Sequence, residues 1–459
     1  MSSTQQEIAV QTILQEIDHC LLHQSNSLSD SSRGNSSQVR FRRAFKKEDI
    51  HAIDSFITEN LQQSNEDVTE AKTRLSDHKF DDVEKREVHH PLYFYILLEE
   101  KIKSQDEQQT DNSNTSLLDY SIQGVALWYF GYSTWKGKVM NLESLITSTD
   151  LLEKRMMDIL IHLARRSDCQ RIIYQVQGKD NAEVFKEKYN PELLHEWLTL
   201  EMGKEKIVSF LQNMKHKFDT ELLLANSYHK SIDKPTKNNM KVATKDKTEV
   251  QYIQETLDSI LINMNIAIRK QRQKNQINSS KAPLRLRRAE ENDSSSILKL
   301  VNGLALYEKA LDEVHVNEVI YQRDGGGDHP FFHCILLEED ENEEDKIQSS
   351  SSHHNNNNSN NHVVGMGFFY FGHAMKSGRR FLYLEDLFVE SNYRKGGYGT
   401  AVMTVLANLA NELNCDRFVW QALDWNSPAL AFYDKVIGAT VCNGLYTLRF
   451  DKARMSMTS

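Results

Sequence analysis

The sequence predicts an α/β (α+β) protein with two similar domains in one chain of 459 residues. Two observations lead to this fold class. The first is an apolar strand from Tyr383 that runs into a glycine-rich turn and then into an amphipathic helix. The second is an internal repeat, because several segments of the first half return in the same order in the second half. A chain of this length is long enough for two or three domains.

The glycine-rich turn reads Arg394-x-x-Gly397-x-Gly399 and directly follows the strand. After it, apolar residues recur at helical spacing and predict a helix; they are Val402, Val405, Leu406, Leu409 and Leu413. Glycines let the backbone turn tightly and leave its N–H groups unshielded at the start of this helix. Such a position favours an anion such as pyrophosphate, so the turn predicts a site for a phosphate-bearing ligand.

The repeat covers most of both halves. The matched pairs of segments are residues 39–44 and 284–289, 90–100 and 329–339, 124–131 and 365–372, 141–144 and 383–386, and 169–174 and 415–420. The spacing between partners is nearly constant, and five collinear matches do not arise by coincidence. The chain therefore holds two copies of one fold, and the first copy lies at about residues 38–202.

Segments downstream of the turn identify a family. The strand at 417–422 leads into Asp424-Trp-Asn426, a short helix that reaches Tyr433, and a Gly438-Ala turn. Over about residues 283–451 the chain resembles the GNAT superfamily of N-acetyltransferases, in particular its spermidine/spermine (diamine) and thialysine branch. The resemblance implies acetyl-CoA as co-substrate. It also implies, for each copy, a mixed, mostly antiparallel central sheet flanked by helices.

The resemblance also assigns roles to individual residues. Glu385 would be the general base for the substrate ammonium, whose pKa near ~10.4 keeps it protonated at neutral pH, and Tyr433 would be the general acid for the departing thiolate. The implied substrate-side residues are Tyr307, Glu308, Glu385 and Asp386. The implied cofactor-binding residues are Leu387, Phe388, Val389, Arg394, Lys395, Gly396, Gly397, Tyr398, Gly399, Thr400, Asn426 and Tyr433. In a regular strand Asp386 would point away from the face of Glu385, unless a bulge turns both inward.

The first copy lacks these chemical groups. Opposite the glycine turn it has Leu152–Asp158, which contains no glycine and carries two acids, so it would block and repel phosphate. Phe185 stands opposite Tyr433, and Ser144 stands opposite Asp386. We therefore expect the first copy not to bind acetyl-CoA in the usual way.

The two copies are expected to form a pseudo-dimer within the chain, with a homodimer as the alternative. The first copy keeps the loop 132–138, whose counterpart at 372–378 has lost the family's Asp and Trp. Trp135 would then reach across and line the amine site around Glu385, or it would simply pack within its own domain.

The substrate is expected to be a small primary amine: a diamine, a polyamine, a basic amino acid or a thialysine-like compound. A long polycation needs several spaced carboxylates, and the loop 372–378 and the segment 442–446 lack acidic residues that the resemblance would place there. Two alternatives stay open. One is acetylation of a protein N-terminus or lysine, and the other is a non-catalytic regulatory protein that binds acetyl-CoA.

Composition and sequence signals limit the kinds of partner and the cellular compartment that we expect. The net charge of −10 and the pI of about 6.0 argue against a nucleic-acid partner. Five scattered cysteines, no secretory signal and no apolar run of membrane-spanning length favour the cytoplasm, with the nucleus also open. Histidines in the Ser/Asn-rich tract do not form a ligand pattern, so no metal site is expected.

The segments outside the first copy are predicted as follows. An N-terminal helix and flexible segment are predicted at 1–37, and a helical and flexible linker at 203–282. The catalytic domain is predicted at 283–459, with a low-complexity insert at 340–362.

Overall fold

The computed structural model describes residues 39–43, 53, 56, 94–101, 120–218, 248–274, 284–327, 330–340, 362–374 and 377–457. Within them the chain forms two mixed sheets of seven strands, flanked by helices. The predicted α/β class is confirmed. The predictions for residues 1–37 and for 341–361 of the insert lie outside the described residues.

The strands of the first half are β1 (Val39–Arg43), β2 (Phe94–Lys101), β3 (Tyr120–Ser133), β4 (Gly137–Thr147), β5 (Arg171–Gln177), β6 (Glu192–Leu194) and β7 (Trp197–Gly203). Those of the second half are β8 (Leu284–Arg288), β9 (His333–Glu339), β10 (Val363–Ala374), β11 (Arg379–Val389), β12 (Arg417–Leu423), β13 (Thr440–Val441) and β14 (Leu445–Asp451).

The described α-helices are α1 (Asp150–Arg166), α2 (Lys179–Tyr189), α3 (Lys204–Phe218), α4 (Glu249–Lys274), α5 (Ser294–Tyr307), α6 (Glu318–Gly325), α7 (Tyr398–Glu412), α8 (Ser427–Phe432) and α9 (Lys452–Met457). The two amphipathic stripes of the linker form α3 and α4, as predicted. Both helices pack with α7 against the second sheet and bury their apolar faces there.

The two sheets exchange one strand each. The order of the first sheet is β1-β2-β3-β4-β5-β14-β6, and that of the second is β13-β7-β12-β11-β10-β9-β8. Thus β14 of the second half pairs with β5, and β7 of the first half pairs with β12. The domain boundaries remain a prediction from the sequence. The two sheets do not follow these boundaries, because β7 and β14 each belong to the sheet of the other half.

The matching strand orders of the two sheets relate the halves by a pseudo-twofold axis. Gln175 on β5 and Gln421 on β12 each donate hydrogen bonds to Thr199 on β7 and Thr447 on β14. Both threonines are buried. Because an unpaired buried amide is costly, this four-residue network favours the exchanged pairing over separate sheets.

An aromatic interface joins β3 of the first half to β10 of the second. Gly131 allows it, because a side chain there would come within 2.8 Å of the Tyr370 ring. Tyr132 packs 4.7 Å from Phe332 and 5.8 Å from Phe368, measured between ring centroids. This contact brings the β3–β4 hairpin of the first half onto β11 of the second.

Candidate active site

Two carboxyl groups lie at a bulge in β11. In the ladder with β10, Phe368 pairs with Asp386 and Phe369 pairs with Leu384, so Glu385 is the extra residue. Thr134 of the first half contacts both acids: its Oγ1 donates a hydrogen bond to Asp386 Oδ2 at 2.5 Å, and its backbone N–H donates to the Glu385 carboxylate. A bulge interrupts the alternation of side chains, and here it brings both acids to one place.

Electrostatic interactions join a third carboxyl group, Glu308 at the end of α5, to this pair. Burial and the neighbouring charge of Asp386 raise the pKa of Glu385 well above its usual value. Burial also raises the pKa of Asp386, and a hydrogen bond from Thr134 opposes that rise. Burial and then Asp386 raise the pKa of Glu308 to about 8. Three close carboxyl groups disfavour one another's ionisation, so a cationic ligand would stabilise them.

The tip of the β3–β4 hairpin is anchored to the second half. The N–H groups of His315 and Val316 donate to the carbonyl oxygen of Trp135 at 2.7 and 3.2 Å, and the Tyr321 hydroxyl donates to the carbonyl oxygen of Thr134. The Trp135 ring packs against the apolar cluster between the halves, and its indole N–H has no acceptor among the described residues. Thr134, which the sequence reasoning missed, contacts the carboxyl groups.

Arg171 is a second site residue that the sequence reasoning missed. It begins β5 of the first half, and its side chain is only 14% exposed. Its guanidinium lies 4.0 Å from Glu313, which also pairs with Lys136 at 2.5 Å. Burial lowers the pKa of Arg171, whereas the charge of Glu385 raises it. A cation of the first half therefore acts on the carboxyl group predicted to be the general base.

The glycine turn and the strands beside it form an open cradle. Pairing of β11 with β12 ends at Leu384 and Trp420, so no described strand pairs with the β12 side of β11 along Leu387, Phe388 and Val389. Gly397 has φ +82°, and a side chain there would meet no atom within 4 Å. It precedes α7, whose start has no capping side chain. Unpaired N–H groups at an uncapped helix start favour an anion.

The other residues of the turn also have defined positions. Lys395 has φ +66°, which is uncommon for a residue with a side chain. A side chain at Gly396 would meet the Tyr398 ring at 2.6 Å, whereas Gly399 lies in the first turn of α7. Thr400 is buried. All the residues predicted for the phosphate site therefore lie at one turn and helix start.

Arg394 and Tyr307 contact each other across the cradle. Arg394 Nε donates to the carbonyl oxygen of Val389 at 2.8 Å, and its guanidinium lies 5.2 Å from the centre of the Tyr307 ring. The Tyr307 hydroxyl lies 3.3 Å from Asn426 Oδ1. Tyr307, predicted on the substrate side, thus contacts two residues predicted to bind the cofactor, whereas its neighbour Glu308 lies with the carboxyl groups.

Tyr433 lies at the junction of α8 and a single π-helical turn, Tyr433–Ile437. Its ring is buried 5.2 Å from that of Trp420 on β12. Burial and then the charges of Asp386 and Glu308 raise the pKa of its hydroxyl above the usual value. The phenol is therefore protonated at neutral pH, and the negative charges of Asp386 and Glu308 act on it. Asn426 caps α8, accepting from the Ala429 N–H at 3.4 Å.

The first half has the same frame with a closed helix start. Its bulge lies at Glu143, because Leu127 pairs with Ser144 and Trp128 with Leu142. Pairing of β4 with β5 also ends early, at Leu142 and Tyr174. The start of α1, however, is capped by Thr149 and carries two acids, Asp150 and Glu153.

An ionic network occupies this helix start. Lys188 pairs with Asp150 at 2.9 Å and with Glu153 at 2.8 Å, and the Tyr189 hydroxyl donates to Glu153 at 2.9 Å. Since the carboxylates already bind a lysine and would repel phosphate, this helix start does not favour an anion as the uncapped start of α7 does.

Comparison with known proteins agrees with this geometry. The model of the acetyltransferase (GNAT) family matches residues 326–439. The thialysine N-epsilon-acetyltransferase of Sus scrofa is 33% identical over 177 residues, which are 38% of this chain and 96% of that protein. The chain belongs to the GNAT acetyltransferase family.

This GNAT protein is also similar to a human acetyltransferase-like protein and to a solved tandem GNAT protein. The human spermidine/spermine N(1)-acetyltransferase-like protein 1 is 26% identical over 172 residues, 37% of this chain and 23% of that protein. A solved tandem GNAT protein from the clavulanic acid biosynthesis pathway aligns with 90% of this chain and 98% of its own at 8% identity and a TM-score of 0.38. This chain is an N-acetyltransferase, and the strand order of its two sheets is the same in both halves.

No described helix is long and apolar enough to cross a membrane. Among the described residues, no group of three or more His, Cys, Asp and Glu residues is placed to hold a metal ion.

Proposed function

We propose that this N-acetyltransferase transfers the acetyl group of acetyl-CoA to a small aliphatic primary amine: a diamine, a polyamine, a basic amino acid or a thialysine-like compound. The cluster of Glu308, Glu385 and Asp386 carries the proposal. Three partly buried carboxyl groups with raised pKa values favour a cationic ligand. The relatives named for thialysine and for spermidine/spermine support the same class of substrate.

The residues of the cradle fit acetyl-CoA. The space beside Gly397 and the uncapped start of α7 suit the pyrophosphate, with positive charge from Arg394 and Lys395 nearby. The strand edge along Leu387–Val389 offers backbone groups to the pantetheine arm and to the acetyl carbonyl, and Asn426 stands at the facing end of β12. Bound acetyl-CoA would supply the acetyl thioester.

Two side chains provide the proton transfers. The substrate nitrogen must lose a proton before it attacks, and Glu385 accepts that proton on its carboxylate. Its raised pKa makes it a stronger base than an ordinary glutamate near neutral pH. Tyr433 donates the proton of its hydroxyl to the departing sulfur. The raised pKa of Tyr433 keeps this proton in place until negative charge develops beside it.

The first half completes the amine site in this proposal. Thr134 fixes both carboxyl groups, and the hairpin that carries it is held by the second half. Two fused copies then work as an intrachain pseudo-dimer, in which the copy with the closed helix start contributes side chains to the other copy. Trp135 lies next to Thr134 and would border the bound amine.

Steady-state kinetics of the full chain tests the proposal. With saturating acetyl-CoA, we expect turnover of short amines such as ornithine, lysine, thialysine and diaminopropane, and weaker use of spermine. Glu385→Gln should lower kcat by about 10²–10⁴-fold. Peptides with a free N-terminus or a lysine form the comparison arm, and a higher kcat/KM for peptides than for every small amine would refute the proposed substrate class.

A further inference from the structure

We infer that Arg171, a residue of the half with the closed helix start, is a positioning residue for acetyl transfer, because it holds the Glu385 carboxyl group in its ionised, proton-accepting form. This inference rests on the proposed role of Glu385 as general base. It assigns to the first half an electrostatic function in the reaction of the second half.

The strand exchange places Arg171 at the site. The residue opens β5, between Val139 of β4 and Asp451 of the exchanged strand β14. This end of β5 faces the second half near the pseudo-twofold axis, and the guanidinium lies 4.0 Å from Glu313 of that half. If the first half were a separate domain with its own strand in place of β14, this end of β5 would not be held against the second half.

The pseudo-twofold relation of the halves provides a measured contact between the equivalent residues on the other side. Arg417 opens β12 as Arg171 opens β5, and Glu143 is the bulge residue of β4 as Glu385 is that of β11. Arg417 lies 3.8 Å from Glu143. By this symmetry Arg171, at the start of β5, is placed toward Glu385, the bulge glutamate of the other half.

The charges around the pair show why Arg171 matters. Glu385 faces the carboxyl groups of Asp386 and Glu308, which both disfavour its ionisation. Its other titratable neighbours are phenols, whose negative forms its charge disfavours: Tyr321, Tyr370 and Tyr383. Arg171 is the cation whose charge favours the ionised form of Glu385 against these neighbours. The hydrogen bond from the Thr134 N–H acts in the same direction.

Arg171 is itself held by a mixed set of charges. Arg449 disfavours its cationic form, whereas Glu313 and Glu192 favour it. Glu192 also pairs with Arg449 at 2.7 Å, and Lys136 shares Glu313. Glu192 and Glu313 each also pair with another cation, so they neutralise the charge of Arg171 only in part. The guanidinium can therefore still attract the Glu385 carboxylate.

The pH profile of kcat/KM for the amine tests the inference in the full chain. Arg171→Gln should move the acidic limb to higher pH by about one unit, which is about a tenfold loss on that limb, and leave the alkaline plateau nearly unchanged. Arg171→Lys should restore most of the shift. Because all variants are assayed with the same amine, the ionisation of the substrate affects every profile equally. Arg417→Gln is the matched control and should leave the profile unchanged.

An unchanged acidic limb in Arg171→Gln, or an equal shift in Arg417→Gln, would overturn the inference. Thermal unfolding gives a readout that does not need activity. Since the folded-state pKa of Glu385 is raised, its ionisation costs stability as pH rises, and Arg171 offsets that cost. The loss of Tm in Arg171→Gln should grow as the pH rises through the raised folded-state pKa of Glu385, and it should not grow in a Glu385→Gln background.

The two proposals fail differently. If the wild-type chain acetylates no amine, the proposed function is wrong, and the unfolding measurements still decide whether Arg171 acts on Glu385. If the wild type is active and neither the profile nor the unfolding data respond to Arg171, only the inference is wrong.

Discussion

Thr134 Oγ1 donates a 2.5 Å hydrogen bond to Asp386 Oδ2, and these residues are 252 positions apart in the sequence. The bond joins the half with the closed helix start to the carboxyl cluster of the half with the open cradle. It also explains why the β3–β4 hairpin is anchored through the carbonyl groups of Thr134 and Trp135, since a mobile tip could not hold a side chain against a carboxylate.

Thr134→Val should lower kcat/KM for the amine by about 10–100-fold. A hydrogen bond to a charged group contributes about 1.5–3 kcal/mol, and its loss leaves Asp386 without this donor. Thr134→Ser keeps the hydroxyl and should retain most of the activity. Amine kinetics at fixed acetyl-CoA measures the effect, and equal kcat/KM values for the valine and serine variants would contradict it.

Tyr433→Phe should lower kcat by about one to three orders of magnitude, because it removes a proton donor worth roughly 10²–10⁴-fold. The ring stays and can still pack on Trp420, so the affinity for acetyl-CoA should barely change. Phe432→Leu, at the neighbouring position, is a packing control. A turnover of Tyr433→Phe close to that of the wild type, with chemistry limiting the rate, would remove Tyr433 from the mechanism.

Acetyl-CoA should bind once per chain, at the second half. Gly397 has a positive φ and faces open space, so Gly397→Val would strain the turn and fill the cradle. Calorimetry should give one site in the wild type and none in this variant. Lys154→Ala, at an exposed position near the start of α1, is the matched change in the first half and should keep the single site. Two sites per chain would show that the first half also binds the cofactor.

The KM for the amine should fall as pH rises through about 8. Burial and Asp386 raise the pKa of Glu308 to about 8, so this group is mostly protonated at neutral pH and gains its charge above that value. The ionised form attracts an ammonium, whose pKa near ~10.4 keeps it charged in this range. Glu308→Gln should flatten this part of the profile; a profile of KM that keeps its slope in the variant would assign the titration to another group.

The sequence predicted those features of the molecule that depend on the local spacing and composition of residues. The repeat, the strand that ends in Arg394-x-x-Gly397-x-Gly399 and the linker helices α3 and α4 all follow from spacing and composition. The exchange of β7 and β14 did not, because a strand's alternating pattern selects a buried face and not the sheet that it joins. Thr134 and Arg171 were missed for the same reason. Their importance arises only when the pseudo-twofold axis brings them to Glu385, although the retained loop 132–138 pointed to the first of them.

Trp135→Ala should raise the KM for the amine more than the KM for acetyl-CoA. The indole packs between the halves next to Thr134, and its buried N–H has no acceptor among the described residues. Trp135→Phe keeps most of the packing and separates lost volume from lost indole. If Trp135→Ala lowers only the Tm and leaves both KM values unchanged, the residue merely packs the interface.

A protein of residues 280–459 alone should be inactive and prone to associate. It lacks β7, which lies between β12 and β13 in the second sheet, and it leaves β14 without β5 and β6. Two unpaired strand edges of this kind favour intermolecular pairing. It also lacks Thr134, Arg171 and the helix α3 that covers α7. Adding residues 38–274, which include β7, α3 and α4, as a separate chain should restore activity if the exchanged strands can pair between chains. Sedimentation and amine kinetics measure both effects. If the fragment is a monomer that acetylates the same amine as well as the full chain does, the first half contributes nothing to the site.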